Sequence, residues 1–493
     1  MEYILAIDQG TTGSRAVLYD SKGKKAASAY EEFPQYFPKP GWVEHDPEEI
    51  WQSVRRSIQK VLSAVPRATI AAIGITNQRE TTVVWDKDTG RPVYRAIVWQ
   101  CRRTAGRCEQ LKKYRRENEF FRKRTGLPID AYFSATKIEW ILKNVPGAGG
   151  KAQKGKLLFG TTDSWILWKL TGGKVHATDY TNASRTMLFH IGKLEWDREA
   201  LKKFHIPPLI LPKVQRSSGV FGETARAPGI PAGIPISGIA GDQQAALFGQ
   251  ACFAAGTVKN TYGTGSFILL NTGKKRVVSR YGLITTLGCG PSGEPVYVLE
   301  GAVFICGAAI QWLRDGIKIL DSARESEAMA RALDGNDGVY FVPALVGLGA
   351  PYWDPQARGT IVGITRGTTR NHLVRAALEA GAYQTRDVLE AMQKDSGLTI
   401  KDLRVDGGAV ANDFLCQFQS DVLGIDIIRP KVIETTSLGA AYLAGLAVGY
   451  WKDTQEIKAC WAEDRIFRPQ MKKETAGRLY REWKQAVERT LSP

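Results

Sequence analysis

Apolar and polar positions fall in short alternating blocks along this chain. Tyr3–Ile7 and Ala16–Tyr19 are apolar runs of strand length on either side of a polar turn, and they predict a β-hairpin. Ile73–Thr76 and Thr82–Trp85 predict further strands, whereas Pro47–Leu62 and Thr136–Asn144 carry apolar residues at helical spacing. The Gly-Ala-Gly-Gly stretch at 147–150, with the Lys-rich 151–156 behind it, predicts a loop. Proline-rich stretches at 207–212 and 228–235 precede Ile236–Gly249, "ISGIAGDQQAALFG", which predicts a strand ending in Gly-Asp where a helix begins. Lys259–Asn271, "KNTYGTGSFILLN", predicts a second hairpin, and Leu403–Asn412, "LRVDGGAVAN", predicts a strand, a Gly-Gly turn and a helix start.

Alternating strands and helices argue for an α/β class. The two Gly/Thr-rich hairpins lie about 250 residues apart, each followed later by a strand-to-helix turn with Asp and Gly. With 493 residues there is room for two or more domains. The expectation is two related domains with a cleft between them, dividing near Gly249.

The net charge of +17 raises the question of nucleic acid. The densest basic stretch, Arg102–Arg124, holds ten Lys/Arg against three Glu. It reads as a solvated helical face, because no zinc-finger or RNA-recognition signature and no interleaved aromatics accompany it. A basic surface also suits an anionic small substrate. The first apolar run is broken at Asp8, so no signal peptide is expected. Leu299–Leu313 carries Gln311 and is too short for a membrane span. Seven dispersed cysteines without a Cys-x-x-Cys pair predict reduced thiols and a cytoplasmic location. The five histidines show no metal-ligand spacing.

The turns carry the candidate chemistry. Threonine hydroxyls and glycine amides in a tight turn can surround phosphate oxygens with donors. Asp8, beside such a turn, would repel phosphate unless a divalent cation stood between them, and Mg²⁺ takes that mixture of carboxylate, water and phosphate oxygens. Arg15 can offset charge on a transferred phosphoryl group. Asp242 stands in a first helical turn, where the dipole favours an anion, and can act as a base. Gly150–Leu157 nearly matches a P-loop, but Leu157 replaces the Ser/Thr that would meet Mg²⁺, and no Gly-x-Gly-x-x-Gly occurs.

With these residues the chain resembles the FGGY carbohydrate kinases of the actin, Hsp70 and hexokinase fold group. Tyr132–Asn144, "YFSATKIEWILKN", fits the first family signature, and Gly359–Glu379, "GTIVGITRGTTRNHLVRAALE", the second. "NQRETT" (Asn77–Thr82), "VWQCRRT" (Val98–Thr104), "DAYFS" (Asp130–Ser134) and "GDQQ" (Gly241–Gln244) are similar to the members that act on glycerol. The resemblance implies two RNase H-like (actin-like ATPase) domains flanking a cleft, with 1–249 holding the glycerol site and the base and 250–493 the nucleotide. It implies that Arg79, Glu80, Tyr132 and Asp242 hydrogen-bond glycerol, that Trp99 and Phe267 pack on its carbons, and that Gln243 lies nearby. Asp242 would be the catalytic base, with Asp8 and Asp242 at the metal. Thr11, Thr12, Gly13, Arg15 and Thr264 would hold the phosphates, and Gly307, Gln311, Gly408, Ala409 and Asn412 would line the nucleotide site. The implied reaction takes ATP, Mg²⁺ and glycerol to sn-glycerol 3-phosphate and ADP, the first step of glycerol catabolism, in a homodimer or homotetramer without nucleic acid. The alternative is another polyol or ketose kinase of the same family. The loop Ala225–Ile236 has neither the phosphorylatable histidine nor the Gly-Gly-Thr-Arg sequence of regulated relatives, so both controls are expected to be absent.

Overall fold

The computed structural model describes residues 1–492. The chain packs as two compact α/β units. The first comprises Met1–Phe253, Thr285–Tyr297 and Thr435–Cys460. The second comprises Ala254–Ile284, Val298–Glu434 and the chain from Trp461 on. The packing units therefore interleave, where the sequence suggested one cut near Gly249.

Six strands build the sheet of the first unit: β1 (Glu2–Gln9), β2 (Gly13–Tyr19), β3 (Lys25–Glu32), β4 (Thr69–Asn77), β5 (Ser218–Glu223) and β6 (Pro235–Gly241). They lie in the order β5-β6-β4-β1-β2-β3. β1 is parallel to β4, and β4 to β6, while β2 and β3 continue antiparallel as a meander. Six strands of the second sheet are β7 (Val258–Tyr262), β8 (Ser266–Gly273), β9 (Pro295–Val303), β10 (Asp402–Asp406), β11 (Asp426–Pro430) and β12 (Glu463–Phe467). These run in the order β12-β11-β10-β7-β8-β9, with β7 parallel to β10, β10 to β11, and β12 antiparallel at the edge. Strand for strand this is the arrangement of the first sheet. The expected duplication, faint in sequence, is plain in topology.

Both hairpins form where the hydrophobic pattern places them, because continuous apolar runs let the strands be buried on both faces. Ile4, Leu5, Ala6 and Ile7 on β1 and Ala16, Val17 and Leu18 on β2 are almost wholly buried. The helix at Pro47–Ala64 (α1) starts as predicted. Asp46 caps it by accepting from Glu48 N at 2.8 Å, and Pro47 takes the first position, where no N–H is needed.

A late helix, Thr435–Ala447, returns to the first unit because its small residues allow backbone-to-backbone approach. A β-carbon on Gly238 would lie 2.5 Å from Ala444 N, and one on Gly439 or Gly249 would strike the carbonyls of Ala245 and Thr435. Ser237 Oγ donates to Ala444 O at 2.9 Å, and Ser218 Oγ to Leu443 O at 2.8 Å.

Two local expectations need correction. Ala148–Gln153 is a short helix rather than loop, entered after Gly147 turns the backbone at φ 76. The basic stretch does form helices, Ala105–Lys112 and Arg115–Thr125, but it is not only a solvated face. The side chain of Arg103 is buried, pairs with Glu44 at 2.6 Å and lies 3.8 Å from the ring centroid of Trp42. All seven cysteines are free thiols. No helix among the described residues is long and apolar enough to cross a membrane.

Candidate active site

In the first unit, β1, β4 and β6 are parallel neighbours, so their carboxyl ends finish side by side. Asp8 pairs with Thr76, and Thr76 with Ala240; the next row is Gln9, Asn77 and Gly241. Asp242 follows Gly241 as the first residue of the helix Asp242–Gly249. Arg79 and Glu80 follow Asn77. This edge is where parallel α/β sheets bind ligands.

The turn Gly10–Gly13 between β1 and β2 has every carbonyl tied to the protein. Gly10 O accepts from Gln78 Nε2 at 3.2 Å and Thr11 O from Gln35 Nε2 at 3.0 Å. Thr12 O accepts from Phe33 N at 3.3 Å and Gly13 O from Gly10 N at 2.9 Å. His45 props both glutamines, through Gln35 Oε1 at 2.6 Å and Gln78 Nε2 at 3.4 Å, and burial drives its pKa down to about 3, so it stays neutral. With its carbonyl oxygens tied to the protein, the turn leaves no free backbone acceptor to repel an anion. Thr12 is exposed, and Thr11, Arg15 and Asp8 are half-buried. Gly13 is a packing residue, since a β-carbon there would lie 2.5 Å from the Tyr30 ring.

Beside the turn stands a charged and aromatic cluster. Arg79 Nε lies 3.1 Å from Asp242 Oδ1 and 4.0 Å from Glu80 Oε1. Arg79 Nη1 also donates to Gln244 Oε1 at 3.2 Å. Gln243 N donates to the same Asp242 Oδ1 at 2.7 Å. Among the described residues, Oδ2 of Asp242 takes no hydrogen bond, and the side chain is 32% exposed, so one oxygen is held and the other is open to accept a proton. Trp99 packs edge-on against Tyr132, centroids 5.7 Å apart. Its indole donates to Thr11 Oγ1 at 3.0 Å, joining the aromatic wall to the turn. Six of the seven residues expected to bind substrate thus gather in one unit: Arg79, Glu80, Trp99, Tyr132, Asp242 and Gln243.

The seventh, Phe267, belongs to the second unit, half-buried on β8 opposite Thr261. There the turn Gly263-Thr264-Gly265 repeats the device of the first. Gly263 O accepts from Gly307 N at 3.1 Å, Thr264 O from Cys306 N at 2.9 Å and Ala308 N at 3.1 Å, and Gly265 O from Gly263 N at 2.8 Å. The helix Gly307–Asp315 is thereby docked on the turn, with Gln311 exposed one turn along it. β10 ends beside β7, and Gly407, Gly408 and Ala409 follow at its carboxyl end. Asn412 caps the helix Asp413–Leu423 by accepting from Leu415 N at 2.9 Å, and its amide donates to Ser326 Oγ at 3.2 Å. Gly307 is thus bonded to Gly263, and Thr264 to the flanking Cys306 and Ala308, while Gly408, Ala409 and Asn412 follow the adjacent strand end.

Several participants escaped the sequence reading. Arg185 pairs with Glu80 through Nε–Oε1 at 2.5 Å, and both side chains are buried. Lys137 donates to the carbonyls of Glu80 and Tyr132. Gln35, Gln78 and His45 hold the turn. Gln78 lies within "NQRETT" and Lys137 within "YFSATKIEWILKN", but nothing in either stretch marks these side chains as holding the turn or Glu80, and Gln35, His45 and Arg185 lie in no quoted motif.

The site and the fold define a class. The chain belongs to the FGGY family of carbohydrate kinases: the N-terminal domain of that family matches residues 3–249 and the C-terminal domain residues 258–448. Its fold is the two-domain actin-like ATPase fold of those kinases. Within the family it is 60% identical to "Glycerol kinase 2" of Thermotoga maritima, over 100% of this chain and 99% of the relative. It is 59% identical to the glycerol kinase of Caldanaerobacter subterraneus subsp. tengcongensis, over 99% of each. Among solved structures, that of Plasmodium falciparum glycerol kinase with ADP matches with a TM-score of 0.93 and 38% identity, over 100% of this chain and 99% of the other.

Proposed function

We propose that this chain phosphorylates glycerol with ATP, giving sn-glycerol 3-phosphate and ADP. Full-length similarity near 60% to proteins named glycerol kinase supports the substrate. The observation that carries the chemistry is Asp242, with Oδ1 fixed by Arg79 and Gln243 N, Oδ2 without a hydrogen bond among the described residues, and the side chain 32% exposed.

A triol needs converging donors and acceptors. Arg79 supplies donors only and Glu80 acceptors only, so together they fix the sense of the hydroxyl bonds. Trp99 and Tyr132 cover the C–H side. Asp242 Oδ2 takes the proton of the terminal hydroxyl as its oxygen bonds to the γ-phosphorus. The bond from that phosphorus to the β–γ bridging oxygen breaks, and ADP leaves. Amides and hydroxyls of the first turn, with Arg15, meet the phosphate oxygens. The turn at Thr264, Gly307 with Gln311, and Gly408, Ala409 and Asn412 hold the rest of the nucleotide.

Mg²⁺ fits the donor set on one count: Asp8 puts a single carboxylate at a strand end next to a phosphate-type turn, and Mg²⁺ is held by one or two carboxylates plus phosphate oxygens. Asp242, with one oxygen engaged by Arg79, suits the base better than a direct ligand. Bound there, the ion would neutralise phosphate charge.

The test is ADP release with Mg²⁺-ATP and glycerol, xylulose, gluconate or no acceptor, on wild type and Asp242→Asn. Release that depends on glycerol and disappears in the variant supports the proposal. Equal release without acceptor overturns it, and release with a sugar alone reassigns the pocket.

A further inference from the structure

Glu80 stands in a backbone conformation that residues with side chains seldom adopt. Its φ is 62, and Thr81 N bonds back to Arg79 O at 2.7 Å, closing a three-residue turn around it. Strain of this kind persists only where the surroundings impose it. Three donors grip the Glu80 carbonyl: Thr82 Oγ1 at 3.1 Å, Ser134 Oγ at 3.1 Å and Lys137 Nζ at 3.2 Å. The same ammonium donates to Tyr132 O at 2.6 Å. From the other side, Arg185 Nε lies 2.5 Å from the Glu80 carboxylate, and its guanidinium carbon is 5.4 Å from the Tyr132 ring centroid. Two buried cations therefore tie the Glu80 bend to Tyr132, one through backbone carbonyls and one through side chains. Burying a cation is costly, and filling space alone would call for a methionine or leucine.

We propose that Lys137 and Arg185 are positioning residues that fix Glu80 and Tyr132 relative to each other and so set how tightly and selectively the polyol is gripped. This rests on the glycerol reading above. The charged and titratable groups facing Lys137 are Glu80, Asp130, Cys101 and Cys108, and Asp130 is itself engaged by Arg102 at 2.6 Å. Burial brings the Lys137 pKa down to about 8.

The test is steady-state kinetics on wild type, Lys137→Met, Arg185→Met and Arg185→Lys, with thermal melting to establish folding. The methionine variants should raise the glycerol KM about tenfold to a hundredfold, the effect of leaving buried acceptors unmatched. The KM for ATP should stay within about twofold, because the phosphate turn is held by other residues. Arg185→Lys should recover part of the loss. The inhibition constant of 1,3-propanediol, which lacks one hydroxyl, should approach the glycerol KM in the methionine variants. An unchanged glycerol KM in folded variants, or glycerol and ATP KM values rising together, overturns the proposal. Where a methionine variant does not fold, the wild-type pH profile decides. Neutralising Lys137 above pH 8 should raise the glycerol KM and leave that of ATP unmoved, and a flat glycerol KM through that range overturns the clamp. Failure of wild type to turn over glycerol at all would instead overturn the kinase reading itself.

Discussion

The two hairpin turns are built on one plan and finished differently. In each, a strand runs into a Gly/Thr turn at the carboxyl edge of a parallel sheet, and in each every turn carbonyl is tied inward. In the first unit the tying groups are glutamine side chains, one main-chain amide and the turn itself. In the second they are mainly the amides at the start of the helix Gly307–Asp315. The first turn is flanked by Asp8 and Arg15, which pair across β1 and β2. At the matching place in the second, Thr261 pairs with Phe267, and this neutral pair is held by the Lys259 ammonium, which donates to Thr261 Oγ1 at 2.7 Å and to Phe267 O at 3.3 Å. One plan thus carries an acid–arginine pair in the first turn and a neutral pair held by a lysine in the second. Under the function proposed above, the first would meet the reacting phosphate and metal and the second the rest of the nucleotide.

Removing the charge should break this asymmetry. The largest effect belongs to Asp242→Asn. Loss of a general base costs about a hundredfold to ten-thousandfold in kcat, with the glycerol KM changed little because Arg79 and Glu80 remain. Rapid-quench measurement of the chemical step checks it. Asp8→Asn comes next. One charge is lost beside the phosphates, and kcat should fall about a hundredfold, with the Mg²⁺ concentration for half-maximal rate displaced upward. A magnesium titration of the rate checks that, and an unaltered midpoint would separate Asp8 from the metal.

Legibility followed locality. The hairpins, the strand-to-helix turn at Gly241-Asp242 and the residues Asp8 and Asp242 were readable because strand, turn and chemistry lie within a few residues of each other, whereas Arg79 and Glu80 came from the resemblance of "NQRETT" to the family. The return of Thr435–Cys460 to the first unit was not. It depends on close contacts between glycines and alanines far apart in sequence, and "LGAAYLAG" looks like any buried helix. The same holds for Lys137 and Arg185, whose meaning arises only when three distant segments meet at Glu80. The matching strand orders of the two sheets were likewise invisible, since topology persists after sequence similarity has faded.

The second turn can be probed by bulk rather than charge. A β-carbon on Gly307 would lie 2.5 Å from Gly263 O, so Gly307→Ala must push the helix away from the turn. Overpacking costs about 1–3 kcal/mol, and the loss should fall on nucleotide affinity, roughly tenfold in the ATP Kd by calorimetry, with glycerol affinity unaffected. Equal weakening of both ligands would show that the two turns do not divide the work.

The smallest effect distinguishes the units by pH. Each buries a carboxyl group whose pKa burial raises: Asp163 to about 6 in the first, Glu379 to about 7 in the second. Asp163 accepts from Thr178 Oγ1 at 2.7 Å, and Glu379 from Arg375 Nε at 2.7 Å and Asn336 Nδ2 at 3.2 Å. In both, the folded state holds the proton more tightly than the unfolded chain, so each favours folding at low pH and loses that contribution as pH rises. For Asp163 the loss runs from its ordinary value of 3.8 to about 6, and for Glu379 from 4.5 to about 7. Asp163→Asn and Glu379→Gln remove one slope each. Relative to wild type, both variants should gain stability as pH increases, by about 1–3 kcal/mol across the window, the first levelling off about one unit above pH 6 and the second about one unit above pH 7. Urea unfolding at pH 5, 6, 7 and 8 resolves the two, since between pH 6 and 7 the difference from wild type should change by about 1 kcal/mol for Glu379→Gln and by less than about half of that for Asp163→Asn. If Asp163→Asn changes as much there as Glu379→Gln, the two carboxyl groups do not titrate in separate windows, and pH cannot tell the units apart.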